Sequence, residues 1–252
     1  METLFVGQNA IFLPEVESTN SYATALLKNV NLAEGTAVYS TNQTKGRGQR
    51  GNIWISGPGL NLAVSYVLKP TFLSIDKLFY LYITSALAVH DLMAEMLGTG
   101  QFDIKIKWPN DILVNSKKIA GILNENIINS NIMNTSIIGI GINVNQVDFM
   151  KVENATSLRL LSGKEFDPDY VLKSLHKHVE NYYLKLKSGQ SKMLLSKYYE
   201  HFYKIGEKLV FILNEKKQEF VVNGINSNGL LSLADEFGKE HCFDIKEIKW
   251  AL

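Results

Sequence analysis

The chain of 252 residues changes texture near Gly206, and this change constrains the fold more than any other feature. Before it, apolar strand-like runs alternate with helical patterns. After it, Lys208–Leu213, Glu219–Val222, Leu230–Leu233 and Ile245–Trp250 read as short strands at close spacing. Turn chemistry separates them at Asn214-Glu215, Asn226–Gly229 and Asp235–Gly238. A stretch of about fifty such residues suggests a small β-barrel or sandwich, too small to be secure alone. The expected architecture is α+β. Residues 1–190 would form a mixed-sheet domain with flanking helices, and 191–252 a linker helix and a small β domain.

Within the first part, Ala10–Val16 reads as a strand. Ser18-Thr19-Asn20 are all good N-cap types ahead of a helix over Ser21–Asn29. Thr36–Thr41 and Asn61–Leu68 read as strands, and Ile75–Leu97 as a helix ending near Gly98. Ile104–Lys107, Asp111–Val114 and Ile119–Leu123 form a second strand group, followed by Thr135–Ile142. Tyr170–Leu186 and Met193–Tyr203 read as helices. The apolar stretch over Leu78–Leu97 is interrupted by His90, Asp91 and Glu95, so it reads as a core helix and no membrane partner is expected.

Composition removes several functional classes. A net charge of +1 argues against a general nucleic-acid binder. Cys242 is the single cysteine, which rules out an intramolecular disulfide or a cysteine-built zinc site and suits a reducing cytoplasm. No signal peptide is visible at the N-terminus, so the cytoplasm is the expected location.

Chemistry concentrates in four segments. Lys45-Gly46-Arg47-Gly48-Gln49-Arg50-Gly51-Asn52-Ile53-Trp54 holds two of the three arginines in the chain, and no acidic residue lies between Glu34 and Asp76. Glycine lets backbone approach a ligand, consecutive N–H groups can cradle an anion, and arginine adds a planar fork for carboxylate or phosphate. Alone, the same residues would serve as a basic turn.

The second segment is Lys107-Trp108-Pro109-Asn110-Asp111, with Lys118 seven residues beyond and Gly121-Ile122-Leu123 after it. Asp111 at a turn suits a magnesium ion or a ribose hydroxyl, whereas Lys118 would be costly if it entered a core without a charged partner. A plain hairpin accounts for the spacing equally well. In the third, Gly139-Ile140-Gly141-Ile142-Asn143, alternate glycines bare one face of a strand, for a flat ligand or a close crossing. The fourth, Ser18-Thr19-Asn20, can cap a helix or orient a polar ring.

Ser18-Thr19-Asn20, Gln43 with Gly46-Arg47-Gly48 and Trp54, Lys107–Asp111 with Lys118 and Gly121–Leu123, and Gly139–Asn143 follow one another in the order and approximate spacing of the biotin–protein ligases. Over roughly residues 10–185 the chain resembles that family, which also carries a small SH3-like C-terminal barrel. The resemblance implies activation of biotin by ATP to biotinyl-5′-adenylate and pyrophosphate, then transfer to one lysine of a biotin carboxyl carrier protein or domain. Magnesium accompanies ATP, and a homodimer is admitted. Lipoate–protein ligase of the same fold, and a non-catalytic biotin sensor, are the rival readings.

Carried over residue by residue, the resemblance implies that Lys118, Arg47 and Asp111 are catalytic, with Asp111 also the magnesium contact. Ser18, Thr19, Asn20, Gln43 and Lys118 match biotin-binding positions, with Gly46, Arg47, Gly48 and Gln49 in the closing loop. Gly121, Gly139 and Gly141 would line the pocket with bare backbone. Trp54 and Asn143 match adenine-holding positions, and Arg47, Arg50, Lys107 and Asn110 complete the implied ATP set. Gln49 and Asn52 stand where members of the family carry arginine, which implies looser retention of the adenylate. Some members carry a DNA-binding domain ahead of Ser18, for which this chain leaves no room, so no DNA partner is expected.

Overall fold

The computed structural model describes residues 2–129, 132–149, 152 and 154–251. In chain order, β1 (Ala10–Phe12), α1 (Thr19–Leu27), β2 (Thr36–Ser40) and β3 (Leu62–Leu68) precede α2 (Phe79–Leu97). Strands β4 (Ile104–Lys107), β5 (Asp111–Val114), β6 (Lys117–Asn129) and β7 (Ile132–Ile142) follow, then α3 (Leu158–Ser162), α4 (Pro168–Lys187) and α5 (Ser191–Glu200). The chain closes with β8 (Lys208–Leu213), β9 (Lys216–Ile225), β10 (Leu231–Ala234), β11 (Glu240–Phe243) and β12 (Ile248–Trp250).

The first seven strands make one sheet in the order β1-β2-β3-β7-β6-β5-β4, with β1 parallel to β2 and the other neighbours antiparallel. Strand β3 is buried at every position, so both faces of the sheet must be covered. Helices α2 and α4 pack together over one face through Leu81, Leu87, Leu92, Leu175 and Tyr182. Helix α1 covers the other, where Ala23 meets Val38, Val67 and Ile137. This second layer places the N-terminus of α1 above the bared glycines of β7.

Helix α5 packs on α2 and α4 with Leu194 and Tyr198 buried. The second sheet begins at Lys208 and runs in the order β11-β10-β9-β8-β12. It adjoins the turn between β4 and β5, where the indole N–H of Trp108 donates to Gly229 O at 2.9 Å and Lys107 Nζ lies 5.4 Å from the Trp250 ring centroid. Strand β11 carries Glu240, His241 and Cys242 on a sheet edge, so its sequence lacks the apolar signal expected of a strand. The run over Ala10–Val16 holds only a three-residue strand, because Pro14 interrupts it. Among the described residues no helix is long and apolar enough to cross a membrane.

A pH dependence follows from two histidines, His176 buried and His201 partly buried. His176 hydrogen-bonds Tyr66 at 2.8 Å, and burial pushes its pKa down to about 4. His201 falls to about 4 through burial and the nearby His90 and Lys197. Both are neutral in the fold, so the unfolded chain takes up the protons first as pH falls. Their contribution is complete above the ordinary value of 6.5 and is lost as pH drops towards about 4. Tm is expected to hold steady above neutrality and decline across that window, and His176→Gln should flatten part of the decline in melts recorded at stepped pH.

Candidate active site

A cleft opens where the N-terminus of α1, the loop over Lys45–Trp54 and the glycine-bearing middles of β6 and β7 converge. At one end, the Gln43 side-chain carbonyl accepts the Thr19 backbone N–H at 2.8 Å, which turns the Gln43 amide donors away from the helix. Ser65, in the centre of β3, donates to Asn20 Oδ1, and its hydroxyl lies 2.8 Å from that of Thr19. Asn20 Nδ2 in turn donates to Glu125 Oε2 at 2.9 Å and weakly to Leu123 O at 3.4 Å. Ser18 accepts the Ser21 N–H at 3.5 Å as a loose N-cap and also lines the cleft. The helix start therefore caps and lines at once.

At the other end, Lys118 and Asp111 form an ion pair at 2.6 Å. The strand ladder explains how a lysine reaches it. Ile112 pairs with Ala120 but Leu113 pairs with Lys118, so Ile119 is an extra residue. This bulge reverses the side-chain alternation and points Lys118 away from the core that receives Ala120. The turn is fixed by Asn110, whose Nδ2 donates to Ile122 O at 2.9 Å while Ile122 N donates back to Asn110 O at 2.9 Å. The Trp108–Pro109 bond in this turn is cis.

Gly121 and Gly141 lie directly opposite each other in the β6–β7 ladder and make a floor without side chains. The Trp54 indole lies on that floor, with Lys118 Nζ 5.8 Å from its ring centroid. Its Nε1–H is buried without an acceptor among the described residues. Gly139 serves the close crossing instead, since any Cβ there would collide with the Asn20 amide. With the indole in place the cleft holds about 120 Å³, well under the several hundred of a typical small-molecule site.

Several residues of the implied set are engaged within the protein. Arg47 lines the cleft, yet its guanidinium is engaged by Glu125 through Nη2–Oε1 at 2.6 Å and Nη1–Oε2 at 3.2 Å, and by Ser21 Oγ at 3.2 Å. Lys45 pairs with Glu17 at 2.6 Å. The loop that lacks acidic neighbours in sequence acquires them in space, and Glu125 anchors Arg47 at the cleft. The loop is not an open nest, because the Gly48 N–H donates to Asn52 O at 2.7 Å across a hairpin-like closure. Gly46, whose carbonyl accepts the Trp54 N–H at 3.0 Å, supports that closure from outside the cleft.

Gln49 lines the cleft but turns its Nε2 towards the Tyr82 hydroxyl at 3.3 Å. Asn143 does not reach the cleft. It is buried, and its Nδ2 donates to Thr156 O at 3.0 Å, binding the 155–158 segment beneath the bulge. Lys107 also stays outside, stacked on Trp250, where burial lowers its pKa. The Arg50 side chain lies outside the described residues. Among the described residues no three His, Cys, Asp or Glu side chains cluster as a metal cage, which leaves Asp111 as the carboxylate at the ion-pair end.

Ser65 and Glu125 escaped the sequence reading. Ser65 had a signal, a lone hydroxyl inside an apolar strand. Glu125 had none, being 78 residues from the arginine it holds.

Comparison with known proteins agrees with this arrangement. The model of the biotin/lipoate A/B protein ligase family matches residues 12–143. The bifunctional ligase/repressor BirA of Bacillus subtilis (strain 168) is 37% identical over 172 residues, which cover 66% of this chain and 51% of that protein. This chain thus spans about half the length of the Bacillus relatives it matches. The biotin–[acetyl-CoA-carboxylase] ligase of Paracoccus denitrificans is 28% identical over 233 residues, 90% of this chain and 95% of that one. The structure of biotin protein ligase from Aquifex aeolicus in complex with biotin and ATP superposes with a TM-score of 0.79 at 30% identity, covering 97% of this chain and all of that one. The family model spans the helix start, the glycine loop, the Lys118–Asp111 pair and the bared strand, and the whole fold follows a solved relative, so this chain belongs to the biotin/lipoate A/B protein ligase family.

Proposed function

We propose that this chain is a biotin–protein ligase, joining biotin to a lysine of a carboxyl carrier domain through biotinyl-5′-adenylate. The observation that carries this reading is the cleft itself. A polar, hydrogen-bond-ordered end built from Thr19, Gln43 and Ser65 stands across a bare glycine floor from the Lys118–Asp111 pair. Gln43, with its carbonyl engaged by Thr19, presents donors suited to a ureido carbonyl.

In the first step a biotin carboxylate oxygen bonds to the α-phosphorus of ATP, and the bond from that phosphorus to the pyrophosphate oxygen breaks. Two anions must approach, so a fixed cation between them lowers the barrier. Lys118 has that charge at the edge of the floor, and Asp111 holds its ammonium in place. Magnesium keeps most of its water and binds through one or two carboxylates plus phosphate oxygens. The single carboxylate of Asp111 fits such a shared site, where the ion would offset phosphate charge. In the second step a neutral lysine amine on the carrier attacks the acyl carbon, and AMP leaves. Names such as biotin–[acetyl-CoA-carboxylase] ligase among the relatives favour a carboxylase subunit as acceptor.

Biotin-dependent exchange of labelled pyrophosphate into ATP tests the reading, with lipoate as control. Exchange with lipoate should be at least about 100-fold slower, because its apolar ring leaves the donors at the polar end unpaired. Exchange with lipoate in preference to biotin would make the chain a lipoate ligase, and tight biotin binding without exchange would make it a sensor.

A further inference from the structure

We propose that Glu125 is a positioning residue that latches the glycine loop to the ring-binding end of the cleft. The inference rests on the reading of the cleft as a biotin and ATP site. One carboxylate serves two partners: Oε2 accepts from Asn20 Nδ2 at 2.9 Å, and both oxygens accept from Arg47 at 2.6 and 3.2 Å. Glu125 stands on β6 two residues beyond Leu123, so it faces the same side as the glycine floor.

A carboxylate can only accept, so the Asn20 amide must turn its nitrogen to Glu125 and its oxygen to Ser65. The Asn20 side chain then has all its polar atoms engaged within the protein, since its nitrogen also reaches Leu123 O. It orients the chain of donors at this end of the cleft. Glu125 thereby fixes the polarity of the ring-binding end and, through the same two oxygens, fixes Arg47 over it.

An ion pair this exposed usually contributes little, but a two-pronged arginine–carboxylate contact with further hydrogen bonds is the geometry that does. The loop is also held by backbone contacts among its own residues, such as Gly48 N–Asn52 O and Trp54 N–Gly46 O, by Lys45–Glu17 and by Trp54 on the glycine floor. Arg47 is its ion-paired contact with β6 among the described residues. When Glu125 lets go, the loop opens at Arg47, and an adenylate beneath it escapes.

Two measurements test the latch. The first is the dissociation rate of preformed biotinyl-adenylate in stopped flow. The second is the rate of tryptic cleavage after Lys45, Arg47 and Arg50 in ligand-free protein. Glu125→Gln keeps the side-chain volume and should raise both rates about 10-fold, whereas Glu125→Asp, which keeps the charge, should recover part of the loss. Arg47→Ala should act alike on cleavage after Lys45 and Arg50, and adding Glu125→Gln to it should leave those two cleavage rates unchanged, as expected for two residues in one contact. Wild-type rates in folded Glu125→Gln, or additive effects on cleavage after Lys45 and Arg50 in the double variant, would overturn the latch. If the wild-type protein forms no adenylate, the ligase reading fails, and the latch is then decided by the cleavage rates alone.

Discussion

Lys118→Ala is expected to slow biotin-dependent pyrophosphate exchange by roughly 10²–10³, the usual loss when a positioned cation is removed from a developing negative charge. The fold should survive. Lys118 is about one-third exposed and Asp111 about one-quarter exposed, so water can solvate the carboxylate that remains. The strand around Lys118 is secured by its backbone, through its N–H to Asn154 O at 2.7 Å and its carbonyl to Thr156 N at 2.9 Å. A melting temperature close to wild type would therefore accompany the loss of rate.

Two controls sharpen the assignment. The Lys118→Ala, Asp111→Asn double variant distinguishes a missing cation from an unmasked anion. Recovery of exchange would mean that stray carboxylate charge was responsible, and the Asp111→Asn single variant separates continued loss from loss of the magnesium contact. Lys118→Arg should recover little, because the bulge aims a compact ammonium at Asp111 and a planar guanidinium needs a different approach. Exchange by Lys118→Ala within about threefold of wild type would exclude the electrostatic role assigned on general grounds to such a cation.

How far the sequence could be read depended on whether a feature is local. The helix start at Ser18, the cap at Gly98 and the strands Leu62–Leu68 and Lys208–Leu213 follow from short-range pattern, and the structure has them close to where the pattern puts them. The two-part division into a mixed sheet and a small antiparallel sheet follows from the same patterns. Pairing across long separations was not legible. Arg47 reads as uncompensated because its counter-ion lies on β6, and nothing local announces that Asn143 Nδ2 donates to Thr156 O. Lys118 lies between these cases. Its cost in an apolar strand was plain from sequence, but the relief comes from a bulge at Ile119, which only the ladder reveals.

The glycine floor yields the second large effect. Gly141→Val is expected to reduce kcat/KM for ATP in the exchange reaction by at least about 100-fold, in line with the loss when a group is displaced from its reacting geometry. A Cβ at Gly141 would lie 2.6 Å from Cε2 and 2.8 Å from Cζ2 of Trp54, closer than carbon atoms pack. The indole is rigid and cannot yield by bending, so the ring must leave the floor. A ligand ring taking its place would meet the same obstruction. Valine does not weaken the strand, because β7 lies in the middle of the sheet, where a branched residue is favoured over glycine. Gly141 is also absent from the positive-φ positions, so no backbone strain enters. Loss of activity in a folded protein, together with altered Trp54 fluorescence, is the expected signature. Ordinary ATP dependence in Gly141→Val would mean that the bared floor is only a packing solution for Trp54. In that case the two glycines facing each other across β6 and β7 would have no part in holding the nucleotide.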